Sequence, residues 1–261
     1  MLWSHSNRET HRMCPAWWNA QYRERSVKRR QTAEAARGDV AHQMIEALVH
    51  WRMGLGRAVT RQEILDWCGS QVDDLTEENG LVTSAKLDAA WIIEVALPLF
   101  KPVFAILDKA DSWGTEADWY YDAKWERWSG SVEDFYRYAR ENDAYGGIPD
   151  LWAVVGKRLY IWDWKSGKRY PKWEQLRDYA LYGVLSFPGA ESVTGTFVWL
   201  TQGLADADTW QRADLTNHHR TALLVEVDRL RTSTTFPTSP GTPQCNWCPV
   251  EGCKDRKEKK R

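Results

Sequence analysis

Two runs of mostly apolar residues stand in the middle of the chain. Apolar side chains alternate along residues 151–155 and continue through residues 159–162, with Gly156-Lys157 between the two runs. Two such runs joined by a short glycine-containing break predict a β-hairpin. Because nearly all of its side chains are apolar, we expect the hairpin to be buried.

Apolar residues at helical spacing predict helices on both sides of this hairpin. Polar segments predict linkers over 71–80 and 232–244, a strand is predicted over 192–201 beside the hairpin, and the aromatic stretch 117–130 is predicted as a strand or hairpin beside the central one. The predicted helices lie near 4–13, over a basic face at 21–37, from Gly38 to Leu48, over 61–69 with Gly69 as a stop, from about Ser84 to a break near Pro98, over 131–142 with Ser131 as its cap, over 171–185, and near 216–231.

Length and composition favour one large globular domain spanning 1–261. Apolar residues make up 43% of the 261, which is enough for a core, and the 17 tryptophans exceed what one core normally takes. Some of them are therefore expected to line a cleft. The net charge of −1 gives no global attraction to nucleic acid. A polyanion would have to bind at local basic segments, such as those at 23–37 and 254–261.

The chain has the features of a cytoplasmic protein. No apolar run reaches the length of a membrane span, and the first residues lack the apolar core of a secretory signal. The five cysteines are an odd number and too sparse for a secreted disulfide scaffold. We therefore expect no contact with a membrane.

Three charged residues stand at one end of the predicted hairpin. Asp150 precedes its first strand, and Asp163 and Lys165 end its second. A buried charge without a partner is costly, so an apolar hairpin rarely holds charge without a reason. Two carboxylates can hold a hard divalent cation, and a lysine can orient water or neutralise a phosphate, which favours phosphodiester chemistry. A plain surface hairpin with a salt bridge stays open on these residues alone.

Pro149-Asp150, followed twelve residues later by Asp163-x-Lys165, resembles the signature of the PD-(D/E)xK nucleases. Gly38-x-x-x-His42 upstream and Gln175-x-x-x-Tyr179 downstream resemble the RecB-like branch, in the same order. In that branch the glycine lets the helix pack closely and the histidine reaches the metal. The resemblance implies that Gln175 and Tyr179 face the active site and contact DNA.

The C-terminal tail carries Cys245-x2-Cys248-x4-Cys253. A tetrahedral thiolate site needs a fourth ligand. In iron–sulfur members of the RecB-like group a cysteine before a proline near the N-terminus supplies it, and Cys14-Pro15 matches. The resemblance thus implies a [4Fe–4S] cluster joining 1–37 to 232–261. The family usually has five residues before its last cysteine, so zinc, or Cys68 as an alternative ligand, stays open.

The resemblance implies a restriction-endonuclease-like α/β core, with a mixed central sheet flanked by helices and helical additions. It implies Mg²⁺- or Mn²⁺-dependent DNA hydrolysis. Asp150, Asp163, His42 and the backbone carbonyl of Trp164 would hold the metal, and the imidazole ligand favours Mn²⁺.

We expect an exonuclease acting on single-stranded DNA ends in recombination, repair or CRISPR and phage DNA processing. The sequence contains no P-loop, so a helicase or another recombination or CRISPR partner would do any unwinding. The alternatives are a non-catalytic DNA-binding or assembly subunit that keeps the fold and cluster, and a zinc knuckle on an unrelated scaffold.

Overall fold

A computed structural model describes residues 1–27, 33–73, 80–240, 245, 248–250 and 253. In chain order the elements are β1 (Leu2–Trp3), α1 (His5–Met13), α2 (Pro15–Trp18), α3 (Ala33–Gly54), α4 (Arg61–Asp73), α5 (Gly80–Leu107), β2 (Ser112–Thr115), β3 (Trp119–Tyr121), α6 (Val132–Glu141), β4 (Ala144–Gly147), β5 (Leu151–Val155), β6 (Arg158–Lys165), α7 (Trp173–Ser186), β7 (Ser192–Trp199), β8 (Leu204–Gln211), α8 (Arg212–Asp214) and α9 (Arg220–Thr232).

The elements group into two units, each assembled from distant parts of the chain. One comprises Met1–Arg30, Trp119–Gly147 and Thr216–Arg261, and the other comprises Gln31–Asp118 and Ile148–Leu215. The second unit holds a five-stranded sheet in the order β2-β5-β6-β7-β8. β6 and β7 are parallel and the other pairs antiparallel, so the sheet is mixed. With its flanking helices it confirms the predicted fold class.

The predicted hairpin is confirmed as β5 and β6, with Leu151 opposite Trp162 and Val155 opposite Arg158. Its turn contains Gly156 at φ +56°, a conformation that glycine adopts without steric cost. The predicted strand over 192–201 is confirmed as β7, which pairs with β6 along its whole length.

The core of the second unit lies between the sheet and the pair of helices α3 and α5. Ile45 and Leu48 on α3 are fully buried, as is Leu151 on β5. Phe100 on α5 contacts Trp164 on β6, with ring centroids 5.8 Å apart. Burying each such side chain contributes roughly 1.5–3 kcal/mol, which fixes α3 against the end of the hairpin.

Helix α5 runs to Leu107, so the predicted break near Pro98 is wrong. The helix continues through Pro98 and also through Pro102. Both prolines are exposed, whereas Phe100 and Phe104 on the inner side are buried. A proline inside a helix costs about 3 kcal/mol, and the buried face of α5 offsets that cost.

Some helix ends predicted from the sequence differ from those in the structure. Helix α4 continues past Gly69 to Asp73, because one glycine inside a helix costs only about 1 kcal/mol. Residues 71–73 are therefore helical, and 74–79 of the predicted linker lie outside the described residues. Helix α3 begins at Ala33 rather than Gly38. Residues 24–27 are not helical, which contradicts the predicted basic helical face there, and 28–32 lie outside the described residues.

The first unit contains a three-stranded sheet in the order β1-β4-β3. The aromatic stretch 117–130 supplies β3, which pairs with β4 and not with the central hairpin, so its predicted neighbour is wrong. Helix α1 confirms the predicted N-terminal helix, with the Ser4 hydroxyl accepting the Asn7 N–H at 3.3 Å. Ser131 caps α6 in the same way, and α7 and α9 cover the other two predicted helices.

Candidate active site

The hairpin brings Asp150, Asp163 and Lys165 to one end of the sheet. Asp150 immediately precedes β5, and the antiparallel pairing sets its neighbour Leu151 opposite Trp162. The Asp150 carboxylate accepts the backbone N–H of Trp164 at 2.6 Å. This hydrogen bond joins the start of β5 to the end of β6, where the sequence predicts that the charged residues meet.

Asp163 is a buried carboxylate with two side-chain partners. It is 2% exposed, its Oδ2 pairs with the Lys165 ammonium, and its Oδ1 accepts the Gln175 amide N–H at 3.1 Å. Burial raises the pKa of Asp163 to about 6, although the Lys165 charge works in the opposite direction. Asp163 and Lys165 are two positions apart on β6 and therefore share one face of the strand. Trp164 points to the other face, against Phe100.

His42 reaches the site from α3. Its Nδ1 lies 3.3 Å from Oδ1 of Asp150. Burial lowers the pKa of His42, but the Asp150 charge and hydrogen bond raise it, and the net direction is upward. Gly38, one helical turn earlier, faces the end of β6: a Cβ at this position would lie 3.0 Å from the Ser166 hydroxyl. Glycine thus permits the close approach that the G-x-x-x-H pattern predicts.

Gln175 and Tyr179 lie on one face of α7, four residues apart. The Gln175 amide donates to the Tyr179 hydroxyl at 3.0 Å as well as to Asp163. Burial raises the pKa of Tyr179 well above its ordinary value, and the Asp163 charge adds to this. Tyr179 therefore stays neutral at physiological pH. Both residues adjoin the carboxylates, as their order in the sequence predicts.

Sequence reasoning missed four residues beside the site. Glu46 and His50 follow His42 at intervals of four on α3, and both contact the Thr115 hydroxyl, at 2.7 Å and 2.9 Å. The backbone N–H of Glu116 donates to the Asp150 carbonyl at 3.2 Å. Burial raises the pKa of Glu116, and the charges of Glu46 and Asp150 add to this. The only signal in the local sequence was the helical spacing from His42. Glu46 and His50 have this spacing, whereas Thr115 and Glu116 do not.

The residues predicted to bind metal fit a divalent cation in part. Nδ1 of His42 and Oδ1 of Asp150 are 3.3 Å apart, close to the separation of about 3 Å between neighbouring ligands of an octahedral ion. The buried charge of Asp163 suits the same role. In the described part of the chain, however, no three His, Cys, Asp or Glu side chains are arranged as a ready metal group. Lys165 occupies the Asp163 oxygen that faces it, so a cation would share or displace that contact.

The charges of three cysteines act on a fourth, Cys248. Burial raises the pKa of Cys248, and the charges of Cys14, Cys253 and Cys245 raise it further. Cys245 and Cys248 are both buried. Cys68 instead packs in the core of the second unit, where burial raises its pKa to about 11. It is therefore a core residue, as its position on a helical face predicts.

Two carboxylates, an imidazole and a lysine at the end of a mixed sheet are groups suited to phosphodiester hydrolysis. The family model of the PD-(D/E)XK nuclease superfamily matches residues 2–253, so the chain belongs to that superfamily. A search of curated proteins finds no match. None of the described helices combines the length and apolar character needed to cross a membrane.

Proposed function

We propose that this protein is a Mg²⁺- or Mn²⁺-dependent DNA exonuclease of the RecB-like branch, acting on single-stranded ends. One observation carries the proposal: His42, Asp150, Asp163, Lys165 and Gln175 converge through direct contacts at one end of the hairpin. Membership of a nuclease superfamily supports the reaction class.

Asp150, Asp163 and His42, with the Trp164 carbonyl, would hold the cation. A bound divalent cation lowers the pKa of water and neutralises charge on the phosphate. Lys165 pairs with Asp163 and is the more exposed of the two, so it can orient the attacking water or bind a phosphate oxygen. Gln175 holds the Asp163 carboxylate in place and links it to Tyr179, which presents a neutral hydroxyl to the substrate.

The preference for ends is inferred from what the sequence offers for DNA binding. It shows no helix-turn-helix pattern and no zinc-finger array that would read base edges. Contacts to phosphates position DNA without identifying its sequence. Basic segments and a surplus of aromatic residues suit a groove that follows one strand and stacks its bases. Such an enzyme fits recombination, repair or CRISPR and phage DNA processing, together with a helicase partner.

For Cys14, Cys245, Cys248 and Cys253 the proposal includes a [4Fe–4S] cluster, with zinc as the alternative. All four belong to the first unit, and the charges of the other three act on Cys248. A cluster there would close a very long loop, so its binding energy would contribute to folding. Iron and acid-labile sulfide in anaerobically purified protein would support the cluster, and stoichiometric zinc without iron would contradict it.

The deciding experiment compares linear and covalently closed single-stranded DNA with Mg²⁺ or Mn²⁺. We expect progressive loss of the linear strand, much slower loss of the circle, and no cleavage by Asp163→Asn or Lys165→Ala. Circular dichroism of both variants should match the wild type. Equal rates on both topologies would exclude end dependence. Full activity of either variant would contradict the site assignment.

The second candidate function is a non-catalytic DNA-binding or assembly subunit. It is favoured by Lys165 occupying the Asp163 oxygen, since this pairing satisfies the buried charge without a metal. In that case the wild type would bind single strands but leave them intact with either ion. The cleavage assay above therefore separates the two functions.

A further inference from the structure

The segment directly after Lys165 connects the two elements that carry the site. We call residues 166–172 the basic loop: it joins β6, with Asp163 and Lys165, to α7, with Gln175. It contains Lys168, Arg169, Tyr170 and Lys172 in five positions. Its first residue contacts the site's helix α3, because Ser166 lies against Gly38. Chain continuity therefore keeps the whole loop beside the carboxylates.

The loop is anchored to β8 and to the β7–β8 connection. Nε of Arg169 donates to the Asp206 carboxylate at 2.8 Å, and Nη2 makes a second bond to the same carboxylate. The Trp199 indole N–H also donates to Asp206, at 2.6 Å, and Gln202 donates to the Gly167 carbonyl at 3.3 Å. Arg169 holds the pKa of Asp206 below its ordinary value, so this anchor stays charged at neutral pH. A two-bond arginine–carboxylate pair also fixes orientation.

Tyr170 projects from this anchored loop into solvent. It is 71% exposed, more than any other large hydrophobic side chain in the described residues. Pro171 follows it and restricts its backbone to extended conformations. The ring is thus presented with less conformational freedom than an ordinary loop residue has, which reduces the ordering cost when it binds a ligand.

The charges around the loop indicate a polyanion as the ligand. The site beside the loop contains the carboxylates of Asp150, Asp163, Glu46 and Glu116, so cations on the loop would have to attract the phosphates of an approaching strand. The charge of Arg169 is neutralised by Asp206, so Lys168, which is exposed, is the cation best placed to attract a strand. An exposed aromatic ring beside a lysine is the combination that proteins use to bind single-stranded nucleic acid.

We propose that the basic loop guides the substrate strand into the site, with Tyr170 stacked on an unpaired base and Lys168 contacting a phosphate. This deepens the proposed function, on which it rests for the identity of the substrate. An aromatic ring needs a base whose face is free, so the loop should select single-stranded ends over the interior of a duplex.

The first test measures binding of a fluorescently labelled single-stranded oligonucleotide by anisotropy, in buffer with EDTA so that the strand stays intact. Tyr170→Ala should weaken binding by about 5- to 150-fold, the range of one base–aromatic stack, and Tyr170→Phe should retain it. Val225→Ala is the matched control, because Val225 is 66% exposed on α9. In cleavage assays Tyr170→Ala should raise KM and leave kcat unchanged. Wild-type binding by Tyr170→Ala, or equal weakening by Tyr170→Phe, would overturn the stacking role.

Asp206→Asn tests the anchor, because electrostatics and loss of the anchor predict opposite changes in the affinity for the strand. It removes a negative charge and frees Arg169, so electrostatics alone predict tighter binding of the strand. Loss of the anchor predicts weaker binding, because the loop must then be ordered on contact. Weaker binding would support the proposal, and tighter or unchanged binding would refute it.

Lys168→Ala tests the phosphate contact. The slope of log binding constant against log salt should fall in magnitude by about 0.7, as expected for one phosphate contact on a single strand, and should stay constant in Lys124→Ala. An unchanged slope in Lys168→Ala would refute this contact. If the wild type binds the strand through Tyr170 but never cleaves it, the proposed function fails and the loop assignment stands. If it cleaves and Tyr170→Ala binds normally, the reverse holds.

Discussion

The close approach of α3 to the end of β6 gives the sharpest test of how the site is built. Gly38→Ala would place a Cβ 3.0 Å from the Ser166 hydroxyl, whereas Gly54→Ala, on the same helix, would meet no atom within 4 Å. Both substitutions add an alanine to α3. Gly38 lies inside α3 and Gly54 is its last residue, and only at Gly38 does the new methyl group meet a neighbour, so Gly54→Ala serves as the control.

The two variants should differ in the free energy of unfolding. Replacing a glycine inside a helix by alanine stabilises the helix by about 0.5–1 kcal/mol. Gly54 is the last residue of α3, so Gly54→Ala should gain at most about that much. Overpacking at a tight contact costs about 1–3 kcal/mol. Gly38→Ala should therefore fall about 1–3 kcal/mol below Gly54→Ala and end between neutral and destabilised. The displaced Ser166 adjoins Lys165, so DNA cleavage should also slow.

Urea unfolding of the four single and double variants would measure this. Adding Ser166→Ala to Gly38→Ala removes the hydroxyl that the methyl group meets, and should recover at least about 0.5 kcal/mol beyond the sum of the single effects. Ser166→Ala alone controls for the loss of the hydroxyl. If Gly38→Ala is as stabilising as Gly54→Ala and shows no coupling to Ser166→Ala, the glycine does not serve close packing.

Three further predictions concern other parts of the molecule. Asp108→Asn should destabilise the protein by about 1–3 kcal/mol, measured by urea unfolding, because it removes the carboxylate that pairs with buried Arg52, while Asp108 itself is 49% exposed. Arg52 lowers the pKa of Asp108, so this stabilisation is present above the ordinary carboxyl pKa and is lost as pH falls through the lower folded value. Cys68, with its pKa raised from 9.0 to about 11, should react with iodoacetamide about 100-fold more slowly at pH 8 than in urea, followed by mass spectrometry. Cys14→Ser should lose bound iron and Cys68→Ser should keep it, and loss from both would contradict the proposed ligand set.

The hairpin and its charged end could be predicted because they depend on local order along the chain. Alternation in 151–155 fixes which face each side chain takes, and antiparallel pairing returns the chain to the same end of the sheet. Asp163 and Lys165 are two residues apart on β6, so their side chains lie on the same face of the strand. No long-range information was needed for these residues.

The edge strands β2 and β8 could not be predicted for a physical reason. β2 is Ser-Trp-Gly-Thr and contains no fully buried side chain, and in β8 only Trp210 is buried. An edge strand with few buried side chains leaves a weak apolar pattern. Helix α5 shows the opposite failure: Pro98 is a strong local signal for a break, and the packing of Phe100 against Trp164 overrides it.

The acidic residues around the site could not be predicted from local sequence patterns, for a related reason. Thr115 binds Glu46 across 69 residues of sequence, and Glu116 joins Asp150 only through the pairing of β2 with β5. Burial is the largest cause that raises the pKa of Asp163 and of Glu116, and for Glu116 the charges of Glu46 and Asp150 add to it. The pKa of His42 is raised by the Asp150 charge and hydrogen bond, against the effect of burial. Keeping buried carboxylates ionised beside one another is unfavourable for the fold by itself. Under the proposed function a divalent cation would relieve this repulsion, so the same carboxylates would bind the ion and help to stabilise the protein when it is present.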